Sequence, residues 1–143
     1  MKILVLNGPN LNMLGIREPA IYGSQNYAAL VEYVKTAAAE VGALVEVKQS
    51  NHEGVLVDLI QEALGQFDAI VINPAAYTHT SVAIADALSA VALPVVEVHL
   101  SDVMKREAFR HHSFVSPIAK KTYMGEGFHG YRRAIRYLAL GEE

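Results

Sequence analysis

Apolar and polar residues follow two rhythms along this chain. Ile3-Leu4-Val5-Leu6 is apolar throughout and closes at Asn7-Gly8-Pro9-Asn10. An unbroken apolar run ended by turn residues predicts a strand buried on both faces, as in a parallel sheet. Residues 7–24 hold Gly8, Pro9, Gly15, Pro19 and Gly23 with no clean period, and predict a long loop. Such loops are usually functional or mobile. Ser24-Gln25-Asn26 can cap a helix whose apolar stripe is Leu30, Val31, Val34, Ala38 and Val41, with Gly42 at the C-cap. Leu44-Val45-Glu46-Val47-Lys48 partly alternates and predicts an edge strand. Leu56, Leu59, Ile60 and Ala63 carry the spacing of a second helix.

The same alternation continues. Ala69-Ile70-Val71-Ile72 predicts a third strand, stopped at Asn73-Pro74 because proline has no N–H for a ladder. Ser81 predicts the N-cap of a third helix running through Leu88. Val95-Val96-Glu97-Val98 follows Pro94 as a fourth strand. Residues 99–117 are polar, with one helical turn expected near Arg106–Phe109. Lys121-Thr122-Tyr123-Met124 predicts a fifth strand. Gly130 opens a final helix with Tyr131, Ile135 and Leu138 inward. Strands alternating with helices imply right-handed crossovers and a parallel sheet covered on both faces. The expectation is one α/β domain over residues 1–143, a flavodoxin-like three-layer sandwich with strand order 2-1-3-4-5.

Composition narrows the classes. The chain has 143 residues, 52% of them hydrophobic, with Lys+Arg 12 against Asp+Glu 15 and a formal net charge of −3. That length suits one domain that needs no metal or disulfide staple. The slightly acidic balance argues against a nucleic-acid partner, whose footprint is a basic face. Cysteine is absent, which removes disulfides, thiol nucleophiles and cysteine-ligated metals and fits a reducing, cytoplasmic compartment. Apolar runs are too short for a membrane span or a signal peptide.

Candidate chemistry clusters after the strands. In doubly wound sheets ligands bind outside the carboxyl ends of the strands. The segments there are Asn7–Asn10, Gln49–Glu53, Asn73–Thr80 and His99–Asp102, rich in Asn, His, Tyr and Ser. Arg17 and Tyr22 share the long first loop. A guanidinium beside a phenol favours the phenolate, which can take a proton next to a carbonyl; taken alone, the pair reads first as a packed Tyr22 and a solvated Arg17, since two residues do not make a site. Glu97 precedes His99 by two residues on one strand face, so the carboxylate can orient the imidazole for acid catalysis or hold it structurally. His79 lies just before the third helix, Asp86 on it, and Arg106 and Arg110 in a basic stretch; capping and solvation are the competing roles.

Other chemistries find little support. There is no HExxH or other recognised ligand spacing, so no metal is expected. Gly125-x-Gly127-x-x-Gly130 lacks the following βαβ unit and acidic residue of a dinucleotide site and predicts a tight strand-to-helix turn. The lysines have polar surroundings, unlike a desolvated imine-forming lysine.

Four blocks, LNGPNLNMLGIREPAIYG at 6–23, QSNHEG at 49–54, INPAAYTHTSVAI at 72–84 and VEVHLSDVMKREAFRHHSFVSPIA at 96–119, resemble type II 3-dehydroquinate dehydratase. GEGFHGY at 125–131 fits the glycine-rich final turn of that family. The resemblance implies conversion of 3-dehydroquinate to 3-dehydroshikimate by anti elimination through an enolate, without cofactor, metal or imine, in the shikimate pathway or quinate catabolism. It implies Tyr22 as base, Arg17 lowering the pKa of Tyr22, Asn10 holding a water at the enolate oxygen, and His99 as acid oriented by Glu97. The Leu100 and Ser101 amides and Asn73 would hold the substrate carboxylate, and His79 and Arg110 the ring hydroxyls. Arg106 would close over the substrate or position it, and His52 and Glu53 would serve the loop. Asp86 would reach a neighbouring subunit's site within a homododecamer, a tetramer of trimers. Ala85 departs from the basic residue often found before that aspartate, which bears on the subunit contact. Two other readings fit the fold: a flavin- or phosphate-binding module and a receiver-type signalling domain. Asn7-Gly8-Pro9-Asn10 has few free amides for a phosphate, and Asn10 and Asn73 stand where a receiver would want acids.

Overall fold

The structure, a computed structural model, describes residues 1–16 and 25–143. Arg17, Tyr22 and the Ser24 end of the expected cap therefore lie outside the described residues.

Five parallel strands form the sheet: β1 (Lys2–Asn7), β2 (Leu44–Gln49), β3 (Ala69–Asn73), β4 (Val95–His99) and β5 (Lys121–Met124). Their order is β2-β1-β3-β4-β5, as the alternation predicts. β1, β3 and β4 are central, which is why their sequences are apolar on both faces. The edge strand β2 is the one that alternates.

Strand pleat divides the apolar residues into two cores. Ile3 and Val5 of β1, Val71 of β3 and Val96 and Val98 of β4 point to one face. There they meet Leu30 and Val34 of α1 (Tyr27–Glu40) and Ile135 of α4 (His129–Leu140). Leu4 and Leu6, Ile70 and Ile72, and Val95 point to the other. They pack against Leu56 and Ile60 of α2 (Glu53–Glu62) and Ile84 and Leu88 of α3 (Val82–Val91). Each fully buried leucine or isoleucine stabilises the fold by about 1.5–3 kcal/mol.

The helix starts have local causes. Asn26 accepts a hydrogen bond from the Ala29 N–H at 2.9 Å, and Ser81 accepts one from the Ile84 N–H at 2.9 Å. Each satisfies a donor that the first turn leaves open. At the other end of α1, Gly42 takes φ +70°, the left-handed stop expected there.

The polar stretch after β4 holds short 3-10 turns at Val103–Lys105, Ala108–Arg110 and Ser116–Ile118. The single turn expected near Arg106–Phe109 is thus displaced and joined by others. The physical reason is capping: the Asp102 carboxylate accepts from the Met104 N–H at 3.0 Å and starts the first turn. The final helix begins at His129, one residue ahead of Gly130. The turn before it uses a left-handed Gly125, whose φ is +80°.

Candidate active site

The ends of β1, β3 and β4 open onto a cleft of about 390 Å³. It is lined by Asn10, Asn73, His79, His99, Leu100, Ser101, Arg106 and Arg110, with apolar residues between them. The topology brings these together because the central strands end at one edge.

The loop after β1 reaches this edge only because residue 8 is glycine. The Gly8 N–H donates to the Asn73 carbonyl at 2.8 Å, continuing the β1–β3 pairing. A Cβ there would lie 2.3 Å from the Pro74 carbonyl oxygen. Asn10 follows in the left-handed region, with φ 71°, a conformation asparagine tolerates better than most residues. The Asn10 N–H donates to the Asn51 side-chain carbonyl at 3.0 Å. Gln49 Nε2 donates to the same oxygen at 3.0 Å and to the Gly8 carbonyl at 3.0 Å. The Tyr77 hydroxyl donates to the Asn51 backbone carbonyl at 2.8 Å. One residue after β2 therefore ties the loops after β1 and β3.

Glu97 and His99 alternate onto the same side of β4, and His99 Nε2 lies 2.6 Å from Glu97 Oε2. Glu97 is fully buried and His99 nearly so. Three hydroxyls complete the carboxylate shell: Ser113 donates to Oε2 at 2.8 Å, and Ser116 and Thr122 donate to Oε1 at 2.5 and 3.1 Å. Burial alone pushes the Glu97 carboxyl up. The hydrogen bonds from His99, Ser116 and Ser113, with the charge of His99, outweigh it and hold the carboxyl below its ordinary value. An ionised Glu97 accepts only, so Nε2 carries hydrogen toward it. The other ring nitrogen, Nδ1, makes no hydrogen bond among the described residues, and His99 lines the cleft.

At the rim, His79 Nδ1 is 2.8 Å from the His112 carbonyl. Arg110 Nε donates to the Glu107 carboxylate at 3.0 Å, and Arg106 lies 3.9 Å from it. The Arg110 hydrogen bond is the main cause that holds the exposed Glu107 carboxyl below its ordinary value. Gln25 and Leu14, close to either end of the segment that carries Arg17 and Tyr22, line a second hollow of about 480 Å³. That hollow shares Leu100, Ser101 and Arg106 with the cleft. Asp86 is exposed on α3 and takes no part in lining the cleft of its own chain. His52 is exposed at the start of α2, with its N–H donating to Ser50 Oγ at 3.0 Å.

Sequence reasoning missed the supporting residues. Gln49, Asn51, Glu107, Ser113, Ser116, Thr122 and Tyr131 hold the groups that line the cleft. Only Gln49 and Asn51, in a polar segment directly after a strand, carried a local signal. Among the described residues, no group of three or more His, Asp or Glu side chains converges as a metal site would require. No helix among them is long and apolar enough to cross a membrane.

A doubly wound parallel sheet with a buried Glu–His pair and two asparagines lining a cleft at its carboxyl edge defines an α/β enzyme of the flavodoxin-like type. The chain belongs to the dehydroquinase class II family, whose model matches residues 1–139. It is 58% identical over 137 residues to "3-dehydroquinate dehydratase 2" of Pseudomonas putida, covering 96% of this chain and 92% of that one. It is 54% identical over 138 residues to "catabolic 3-dehydroquinase" of Aspergillus clavatus, with coverage of 96% and 92%. The crystal structure of type II dehydroquinase from Butyrivibrio crossotus superposes with a TM-score of 0.91 at 51% identity, covering 96% of this chain and 97% of that one.

Proposed function

We propose that this chain, acting as one catalytic domain over residues 1–143, dehydrates 3-dehydroquinate to 3-dehydroshikimate by anti elimination through an enolate. The pathway served is aromatic amino-acid biosynthesis or quinate catabolism; one of the similar relatives is named a catabolic 3-dehydroquinase and another simply 3-dehydroquinate dehydratase 2. Membership of the family supports the reaction. The observation that carries the mechanism is the buried Glu97–His99 pair at the cleft, 2.6 Å apart.

The residues divide the work as follows. Tyr22, with its ionisation eased by Arg17, takes the proton next to the carbonyl. Charge then develops on the enolate oxygen, where a fixed donor acts mainly on the transition state. A water held by Asn10 supplies that donor. His99, protonated, gives up the Nδ1 proton to the departing hydroxyl, while Glu97 stabilises the imidazolium and fixes the ring. The departing hydroxyl leaves as water with that proton; Tyr22 then gives its proton up to solvent and His99 takes one back from it, which restores both groups. Asn73 and the amides of Leu100 and Ser101 hold the substrate carboxylate, His79 and Arg110 its ring hydroxyls, and Arg106 flanks them. The reading needs no cofactor. It includes a cytoplasmic homododecamer, a tetramer of trimers in which Asp86 meets a neighbouring subunit's site, with no nucleic-acid or membrane partner.

The test is ultraviolet absorbance after adding chelator-treated protein to 3-dehydroquinate, with and without borohydride. The product's conjugated enone acid absorbs where the substrate does not. A rise unaffected by borohydride is expected, falling by about 10²–10⁴-fold in Tyr22→Phe and in His99→Ala, the span usual for a lost acid or base. No rise from folded wild-type protein would sink the dehydratase reading. Near-normal turnover in either variant would remove that residue from its role. Sedimentation showing a stable monomer would leave Asp86 without a partner.

A further inference from the structure

Asn7 and Asn73 end adjacent strands in register. Both side chains turn to the α1/α4 face, where the Tyr131 hydroxyl lies between them. Tyr131 is fully buried, Asn7 likewise, and Asn73 is 3% exposed.

The direction of every hydrogen bond here follows from one backbone group. The Ala75 N–H can only donate, and it meets Asn73 Oδ1 at 3.1 Å. The Asn73 amide nitrogen therefore faces Tyr131 and donates to its hydroxyl at 3.1 Å. That hydroxyl, already accepting, donates its single hydrogen to Asn7 Oδ1 at 2.7 Å. The Asn7 nitrogen is left toward the Tyr27 hydroxyl, 3.5 Å away. The relay has no reversed form, since Ala75 offers no acceptor at that point. Burial pushes the Tyr131 hydroxyl well above the usual phenol range, so it stays a neutral donor at any working pH. Ala75 itself holds φ 54°, a left-handed conformation that a non-glycine residue keeps where its surroundings over-determine it.

An asparagine amide has two N–H groups. Tyr131 takes one, and Asn73 also lines the cleft. We propose that Tyr131 is a positioning residue: with the Ala75 N–H fixing the oxygen end of the Asn73 amide, its buried hydroxyl holds the nitrogen end in place, so that the remaining N–H is presented steadily to an acceptor in the cleft such as a carboxylate. The inference rests on the substrate role given to Asn73 above. It adds a residue of α4 that touches no substrate, yet steadies the donor this corner presents.

Tyr131→Phe removes one oxygen and keeps the packing. The expected result is a KM for 3-dehydroquinate raised about tenfold with kcat changed less than about threefold, the pattern of lost binding that is uniform through the reaction. In an Asn73→Ala background the same substitution should leave KM within about twofold, because coupled residues lose their separate effects. Asn7→Ala, which keeps Tyr131 and removes the acceptor of its hydroxyl, should raise KM similarly and serves if Tyr131→Phe does not fold. A wild-type KM in a folded variant, or an equal rise in the Asn73→Ala background, would overturn the proposal. Nitrogen-15 spectra test the relay without activity. The Asn73 side-chain N–H signals should be protected from exchange in wild type and lose protection in Tyr131→Phe; identical signals in both would also overturn it. A wild-type protein that forms no product would instead remove the dehydratase reading, and the spectra would still decide the relay.

Discussion

Glu97 and His99 are held 2.6 Å apart with the carboxylate out of contact with solvent. Such a pair is stable only because Ser113, Ser116 and Thr122 supply the hydrogen bonds that water would have made. Leaving a buried charge unpaired costs several kcal/mol. The same shell fills the acceptor sites of the carboxylate and favours its ionised form.

The pH dependence of stability follows from that shell. The folded carboxyl of Glu97 sits below its ordinary value of 4.5, so the folded state binds fewer protons than the unfolded state between the two values. Stability from this group is present above the ordinary value and is lost as pH falls through the depressed one. Glu97→Gln is therefore expected to unfold at a lower temperature than wild type at pH 7. The gap should narrow below about pH 4. Thermal melts across that range check it, and a gap independent of pH would mean that the charge of Glu97 contributes nothing.

Asn51 predicts a different signature. It fixes the Asn10 backbone and the Tyr77 hydroxyl together, so Asn51→Ala loosens the loop that bears Asn10. If Asn10 acts where charge develops on the enolate, kcat falls about tenfold and KM moves less than about threefold. Steady-state kinetics separate the two, and a change in KM alone would place Asn51 in substrate binding only.

Gly8 predicts the cost of the close approach between loops. A methyl group at 2.3 Å from the Pro74 oxygen has backbone, not a flexible side chain, as its neighbour. Gly8→Ala should destabilise by about 1–3 kcal/mol, as overpacking does, and lower activity with it. Denaturant melts measure the first. Wild-type stability would show that the loop after β1 shifts freely.

Local pattern made much of the fold legible. Ile3–Leu6 and Ala69–Ile72 read as central strands because both of their faces are covered. Leu44–Lys48 reads as an edge because one face is not. Asn26 and Ser81 read as caps because their partners lie three residues away. Of the 3-10 turns after His99, only the one at Ala108–Arg110 was near an expected turn; the others escaped because turns that short have no apolar period of their own. The roles of Arg17, Tyr22 and Asp86 rested on resemblance and continue to, since the first two lie outside the described residues and the third stands away from the cleft.

By itself the sequence determined the order of elements, the central and edge strands, and the edge of the sheet where chemistry would gather. These depend on periodicity and chain order, which are local. Only the tertiary structure decided what surrounds each functional group. Ser113, Ser116 and Thr122 reach Glu97 from 16, 19 and 25 residues away, and Tyr131 reaches Asn7 from 124 away. Partners that distant are chosen by how helices and loops pack against the sheet, and no spacing along the chain records that choice.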